Sequence, residues 1–305
     1  MKNKIIFVAG PTAAGKSEVA ALLAKKIGGE VISCDSMQIY KGMDILTSKP
    51  GKALLKKVPH HLIGALPVSG EYNVSRYRKD ALAKIKEIIK RGKVPVFAGG
   101  TGLYISILVD GIFKIQKIDK RIRQNLYKLA DRRGNKYLHE MLQIKDPEAA
   151  DKIHPNDTKR IIRALEVFEA TGKPISLLQK TRKGIAGDYD IKIFCLNLPR
   201  EKLYDRINRR VELMFKNGLV KEVGFLRRHK LSKTARFAIG LNEVNGFLAG
   251  EYDLNTAKEM MKSNTRLYAK RQLTWFRKDK RINWIELNGK ERAKVIADRL
   301  WKECF

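Results

Sequence analysis

The residues Gly10, Pro11, Thr12, Ala13, Ala14, Gly15, Lys16 and Ser17 follow the pattern G-x-x-x-x-G-K-[ST], which can hold a polyphosphate. The chemistry explains the spacing. Gly10 and Gly15 let the backbone turn so that successive N–H groups point inward at phosphate oxygens. The start of a following helix adds partial positive charge. Lys16 supplies a full charge, and Ser17 a hydroxyl for Mg2+. The pattern implies binding of a di- or triphosphate, ATP among them, and leaves open which.

Asp35 and Thr101 are the next candidates, the first before Ser36, the second between Gly100 and Gly102. Each follows a predicted strand. In open parallel sheets ligands bind beyond the carboxyl ends of the strands, so these two residues and the phosphate loop are expected to meet. Asp35 suits a base or a metal-positioning group, and equally a turn former. Thr101 could cap the helix that begins at Gly102. His60-His61 reads as structural or loop-forming, since no third ligand type stands at metal spacing. Arg206, Arg209 and Arg210 share a helix with the apolar residues Leu203, Ile207, Val211 and Met214, and solvated charges remain an alternative to anion ligands. The stretch from Lys270 to Arg277 interleaves cations with aromatics. That suits phosphate contact and base stacking, or a packed helix with snorkelling arginines.

The elements that must position these residues alternate. Strands are predicted over Lys4–Ala9, Glu30–Cys34 and Val94–Ala98, with helices over Ser17–Ile27 and Val74–Ile89 and another after Gly102. Asp119–Thr181 has helical periodicity and no convincing strand; Asp157–Ala170 is its best helix. A strand resumes over Tyr189–Leu198. Helices follow over roughly 200–217, 219–229, 241–249 and 255–278, then a strand over Ile282–Leu287 and a terminal helix. The expected fold class is α/β: a P-loop NTPase-like parallel sheet core (1–118 and 188–305) with an inserted helical lobe (119–187).

Composition narrows the partners. The 305 residues carry 63 Lys plus Arg against 32 Asp plus Glu, a net charge of +31, mostly after residue 112. Such an excess fits a polyanionic partner, nucleic acid first, or a soluble surface in a lysine-rich proteome. Apolar runs such as Ile5–Ala9 and Ile105–Val109 are too short to span a bilayer, so no membrane is expected. The basic Met1-Lys2-Asn3-Lys4 runs into a glycine-rich loop rather than a cleavage site, against a signal peptide. Cys34, Cys195 and Cys304 have no paired spacing, which argues for a reducing, cytoplasmic setting without disulfides or zinc.

Taken together, the blocks resemble the tRNA dimethylallyltransferase (tRNA isopentenyltransferase) family. They are GPTAAGKS (10–17), DSMQIYKGMDI with TSKP (35–50), VPHHL (58–62), AGGTGLY (98–104), HPND (154–157), KRIIRALEVFEATGKP (159–174), RINRRVELMFKNGLVKEV (206–223) and AKRQLTWFR (269–277). The cysteines of the C-terminal zinc finger common in eukaryotic relatives are missing, so the type implied is bacterial. The resemblance implies transfer of a dimethylallyl group from dimethylallyl diphosphate, with Mg2+, to N6 of the adenosine at tRNA position 37. It makes Asp35 the base, has Thr101 hold the reacting centre, and pairs Arg210 with the diphosphate. It assigns contacts with the tRNA anticodon stem-loop to Asp35, Ser36, Met37, Gln38, Thr101, Arg123, Lys159, Arg160, Ile161, Ile162 and Arg163. It implies a cytoplasmic monomer. Two departures stand out: Leu46 where a glycine is usual, and Leu241-Asn242 where an aromatic and a basic residue are usual. The rival readings are an ATP-dependent small-molecule kinase, an RNA-binding P-loop NTPase and an adenylate isopentenyltransferase.

Overall fold

The computed structural model describes residues 2–113, 115 and 118–305; Met1 of the basic amino-terminal stretch, and Lys114, Gln116 and Lys117 of the first core segment, lie outside the described residues. The elements run β1 (Lys4–Ala9), α1 (Lys16–Lys26), β2 (Glu30–Ser33), α2 (Lys52–Leu55), β3 (His60–His61), α3 (Val74–Lys90), β4 (Pro95–Ala98) and α4 (Gly102–Val109). Four helices follow: α5 (Lys120–Lys145), α6 (Pro147–Lys152), α7 (Thr158–Thr171) and α8 (Ile175–Lys180). The chain continues with β5 (Asp190–Asn197), α9 (Arg200–Lys216), α10 (Leu219–Leu226), α11 (Leu241–Leu248), α12 (Leu254–Phe276), β6 (Ile282–Glu286) and α13 (Ala293–Cys304).

Two compact units result, Met1–Leu108 with Ala186–Phe305, and Val109–Ile185. The first is built on a six-stranded sheet of order β3-β2-β4-β1-β5-β6, parallel at each pairing. β1 is central because both its faces are apolar. Ile6 and Val8 join the cluster that contains α1 residues Val19 and Leu23. Ile5 and Phe7 alternate to the other face, where Phe7 stacks on Phe97 of β4 at 4.6 Å. Glycine stops α1: Gly28 has φ +64, and the Gly29 N–H closes on the Ala24 carbonyl at 2.8 Å.

The His60-His61 pair, read as structural or loop-forming, is structural: it forms the two-residue edge strand β3. Its His61 Nε2 lies 2.7 Å from the buried Glu30 carboxylate, which also accepts from Arg91 and Lys93. Burial pushes the Glu30 carboxyl up, but the hydrogen bonds from Lys93, His61 and Arg91 outweigh it and hold it at about 2. Two cations and an imidazole around one acid thus tie the sheet edge.

The second unit has helices and no strand among its described residues, and packs on Leu126, Leu138, Leu142, Ile161, Ile162 and Leu165. Asp157 caps α7 by accepting the Arg160 N–H, and Gly172 ends it in the left-handed region at φ +67. The unit begins at Val109 because two glycines let its entering and leaving strands of chain touch. A Cβ on Gly184 would lie 2.1 Å from the Val109 carbonyl oxygen, and one on Gly111 2.3 Å from Lys183.

Candidate active site

The phosphate loop joins β1 to α1 in a conformation that its residue types permit. Gly10 has φ +143, and a Cβ there would lie 2.8 Å from the Leu196 carbonyl oxygen. Gly15 is left-handed at φ +90, immediately before the first turn of α1. Lys16 folds its ammonium back onto the Pro11 carbonyl at 2.7 Å. Burial, then the nearby Arg210 charge, lower its pKa to about 8, while Asp35 and Cys195 act the other way.

Arg210 enters from α9. Its Nε donates to Ser48 Oγ at 2.7 Å and its Nη1 to Thr12 Oγ1 at 3.2 Å. Burial lowers its pKa and the Asp35 charge opposes that. The three arginines of α9 therefore differ: Arg206 binds the Gly289 carbonyl, Arg209 is exposed on its own helix, and Arg210 alone lines the cavity. Ser48 is brought there by the preceding turn, whose Asp44, Ile45 and Leu46 N–H groups all bond the Glu222 carboxylate at 2.8–3.0 Å. Leu46 is buried and lies outside the left-handed region, so a glycine is not needed at that position. Leu241 likewise serves the core at 3 % exposure.

Asp35 leaves β2 and folds its Oδ1 onto the Met37 N–H at 2.8 Å, with Gln38 N–H at 3.4 Å. No hydrogen bond from the described residues reaches Oδ2. Thr101 does not cap with its side chain; its Oγ1 accepts the Ser36 N–H at 3.2 Å, while its carbonyl begins α4. The glycines before it are forced by contact, since a Cβ on Gly99 would lie 2.1 Å from the Cys34 carbonyl oxygen.

A cavity of about 640 Å³ joins the phosphate loop, Asp35 and Arg210, while Thr101 stands behind its wall on Ser36. Its wall includes Thr12, Lys16, Ser17, Asp35, Gln38 and Arg210, together with apolar Val211, Met214, Ile239 and Met261. The same space offers cations, hydroxyls, a carboxylate and greasy walls. That arrangement can bind an anion carrying an alkyl group and take a proton from a second reactant.

Several contributors were not singled out from sequence. Tyr268, Arg271 and Gln272 of α12 also line the cavity. Gln272 is buried, accepts the Thr12 N–H at 2.8 Å and donates to the Gly100 carbonyl at 2.8 Å. Trp275 lies against Gly102, where a Cβ would sit 2.2 Å away. The cation–aromatic block of α12 thus splits: Gln272 and Phe276 are buried, whereas Lys270, Arg271 and Trp275 are exposed. A signal existed, because Gln272 shares a buried stripe with Ala269 and Phe276, where an unpaired amide is costly.

In the helical unit, one part of the expected set needs correction. Ile161 and Ile162 are 0 % and 1 % exposed, so their side chains build the core and cannot present themselves to RNA. Arg123 and Arg163 both bond the buried Glu166 carboxylate at 2.7 Å. Lys159 borders an open hollow with Tyr127 and Asn156, and Arg160 pairs with Asp157 at 3.3 Å.

The chain was compared with known proteins. The model of the IPP transferase family matches residues 38–279. The tRNA dimethylallyltransferase of Carboxydothermus hydrogenoformans is 45% identical over 306 residues, covering 100% of this chain and 98% of the relative. The enzyme of the same name from Geobacter sulfurreducens is 46% identical over 287 residues, covering 93% and 92%. Among crystal structures, the full-length tRNA isopentenylpyrophosphate transferase of Bacillus halodurans superposes with a TM-score of 0.72 at 36% identity, covering 99% of this chain and 97% of that one. A eukaryotic dimethylallyltransferase, captured acting on tRNA, gives a TM-score of 0.82 at 29% identity, covering 99% and 80%.

Proposed function

The chain belongs to the IPP transferase family, and from that membership we propose a division of labour among its site residues. It is a tRNA dimethylallyltransferase: it transfers the dimethylallyl group of dimethylallyl diphosphate to N6 of the adenosine next to the anticodon, at tRNA position 37, giving N6-isopentenyladenosine and diphosphate. The observation that carries the site assignment is the single cavity lined by both the phosphate loop and Asp35.

The loop N–H groups, Lys16 and Arg210 hold the diphosphate and stabilise the charge it gains on leaving. Mg2+ would be held on the protein side by the Ser17 hydroxyl beside the phosphate loop, and would supply further neutralisation of the leaving charge. Adenine N6 is a poor nucleophile because its lone pair is delocalised into the ring. As the N6–C bond forms and the allylic C–O bond breaks, the free oxygen of Asp35 accepts the N6 proton. Thr101 fixes the Asp35-Ser36 turn beside the reacting centre. The base must leave its stack to reach the cavity, which is easier from an anticodon loop than from a duplex.

Contacts with the anticodon stem-loop are assigned to the Asp35–Gln38 segment, Thr101, and the cations of α5 and α7, namely Arg123, Lys159, Arg160 and Arg163. Among the described residues no helix is long and apolar enough to cross a membrane. A monomer working in the cytoplasm completes the proposal.

The test is direct. The protein is incubated with dimethylallyl diphosphate, Mg2+ and unmodified tRNA, and the digested nucleosides are weighed. N6-isopentenyladenosine is expected with tRNA and not with AMP as acceptor, without ATP consumption. Asp35→Ala is expected to abolish transfer while tRNA affinity stays within about threefold, since a base acts in the transition state rather than in binding. Normal turnover in that variant removes Asp35 from the base role.

A further inference from the structure

The two loops that serve the cavity come from segments far apart in sequence. The phosphate loop leaves β1, and the loop bearing Thr101 leaves β4, its hydrogen-bonded neighbour in the sheet. Beyond the ends of the paired strands one side-chain amide bridges the two loops. Gln272 Oε1 accepts the N–H of Thr12, and its Nε2 donates to the carbonyl of Gly100, each at 2.8 Å. A Cβ on Gly100 would sit 2.1 Å from Nε2, so the amide fits only because that residue is glycine. Each anchor leads onward. The Thr12 hydroxyl accepts from Arg210, and the residue after Gly100 is Thr101, whose hydroxyl accepts from Ser36 beside Asp35.

We propose that Gln272 is a positioning residue that sets the distance between the diphosphate-holding group (Lys16, Thr12, Arg210) and the proton-accepting group (Asp35, Thr101). This rests on the function assigned above. Gln272 need not touch either substrate. Its work requires an acceptor and a donor on one rigid plane at glutamine's reach. Asparagine is one methylene too short, and an ionised glutamate would turn an acceptor toward the Gly100 carbonyl. A register error of about 1 Å between reacting groups can lower turnover by on the order of a hundredfold without removing either binding site. The signature is therefore a loss in kcat that binding does not share.

Two variants of the full chain test this. Gln272→Met keeps nearly the same volume and loses both hydrogen bonds. Its kcat is expected to fall at least about tenfold, while the separately measured affinities for dimethylallyl diphosphate and for tRNA stay within about fivefold. Gln272→Glu adds a rescue. A protonated carboxyl can accept from Thr12 and donate to Gly100, whereas the ionised form cannot, and burial raises the carboxyl's pKa. The ratio of its kcat to that of the unmodified protein should thus rise as pH falls from about 9 to about 6. Structural damage alone gives no such recovery. The inference is overturned if Gln272→Met turns over within about twofold of the parent, or if its affinities collapse in proportion to kcat. If Gln272→Met does not fold, the Gln272→Glu profile decides, and a pH-independent ratio overturns the inference. Should the unmodified protein itself fail to prenylate tRNA, the functional assignment fails instead, and the two failures are distinguishable.

Discussion

Lys16 illustrates how a single side chain can carry a pH dependence. Without an anion beside it, burial and the Arg210 charge leave its pKa at about 8. The ammonium is therefore complete below about 8 and lost as pH rises through that value. Capture of the diphosphate needs the charged form. The kcat/KM for dimethylallyl diphosphate should accordingly fall on the alkaline side with a midpoint near 8. kcat should hold to higher pH, because a bound diphosphate stabilises the ammonium. A kcat/KM that stays level from about pH 7 to about pH 9.5 contradicts this account. At this scale the sequence was informative wherever chemistry is local. The spacing from Gly10 to Ser17 dictates its own turn. The burial of Gln272 was legible in its stripe, but its partners were hidden because they lie 260 and 172 residues away, and no periodicity links an amide on a late helix to a loop near the start.

Among the elements, α7 shows one helix both binding and being bound. Its inward face is core, and its Glu166 is buried between Arg123 and Arg163. Burial raises the Glu166 pKa, but the two guanidinium hydrogen bonds win and keep it low, so it is charged at neutral pH. Removing it leaves two half-exposed cations repelling each other across a small void. Glu166→Ala should cost about 1–2 kcal/mol in the helical unit, less than for a fully buried pair because water reaches both arginines. Amide hydrogen exchange is the suitable measurement: protection should drop in α5 and α7 and stay unchanged in β1 and β4. Equal loss in the strands would show that the two units do not unfold separately. The long helices were legible because their apolar stripes recur at helical spacing over many turns. β3 was not, since two histidines are too few to show an alternation. What makes them a strand is Glu30, supplied by a neighbouring strand. The two isoleucines of KRIIR were misassigned for a related reason: a motif is contiguous in sequence, but a helix sends its consecutive residues to different faces.

For the whole molecule, the net charge of +31 is the property its partner senses first. Association with tRNA should release counterions, and affinity should fall on the order of fifty-fold between about 50 and about 200 mM salt if four or so phosphates are neutralised. Titration at several salt concentrations measures this slope; an affinity indifferent to salt contradicts the role given to the basic surface. The order of strands has a quite different consequence, for biosynthesis. β1, which bears the phosphate loop, is among the first segments to emerge from a ribosome, yet its neighbour β5 is translated only after the entire helical insertion. At bacterial and eukaryotic elongation speeds that delay is roughly 10–40 s, during which an apolar strand edge waits uncovered. A transcript broken before codon 190 thus encodes the loop on a sheet whose β1 edge is left open where β5 belongs, and its product is a substrate for chaperones and proteases rather than a weakened enzyme.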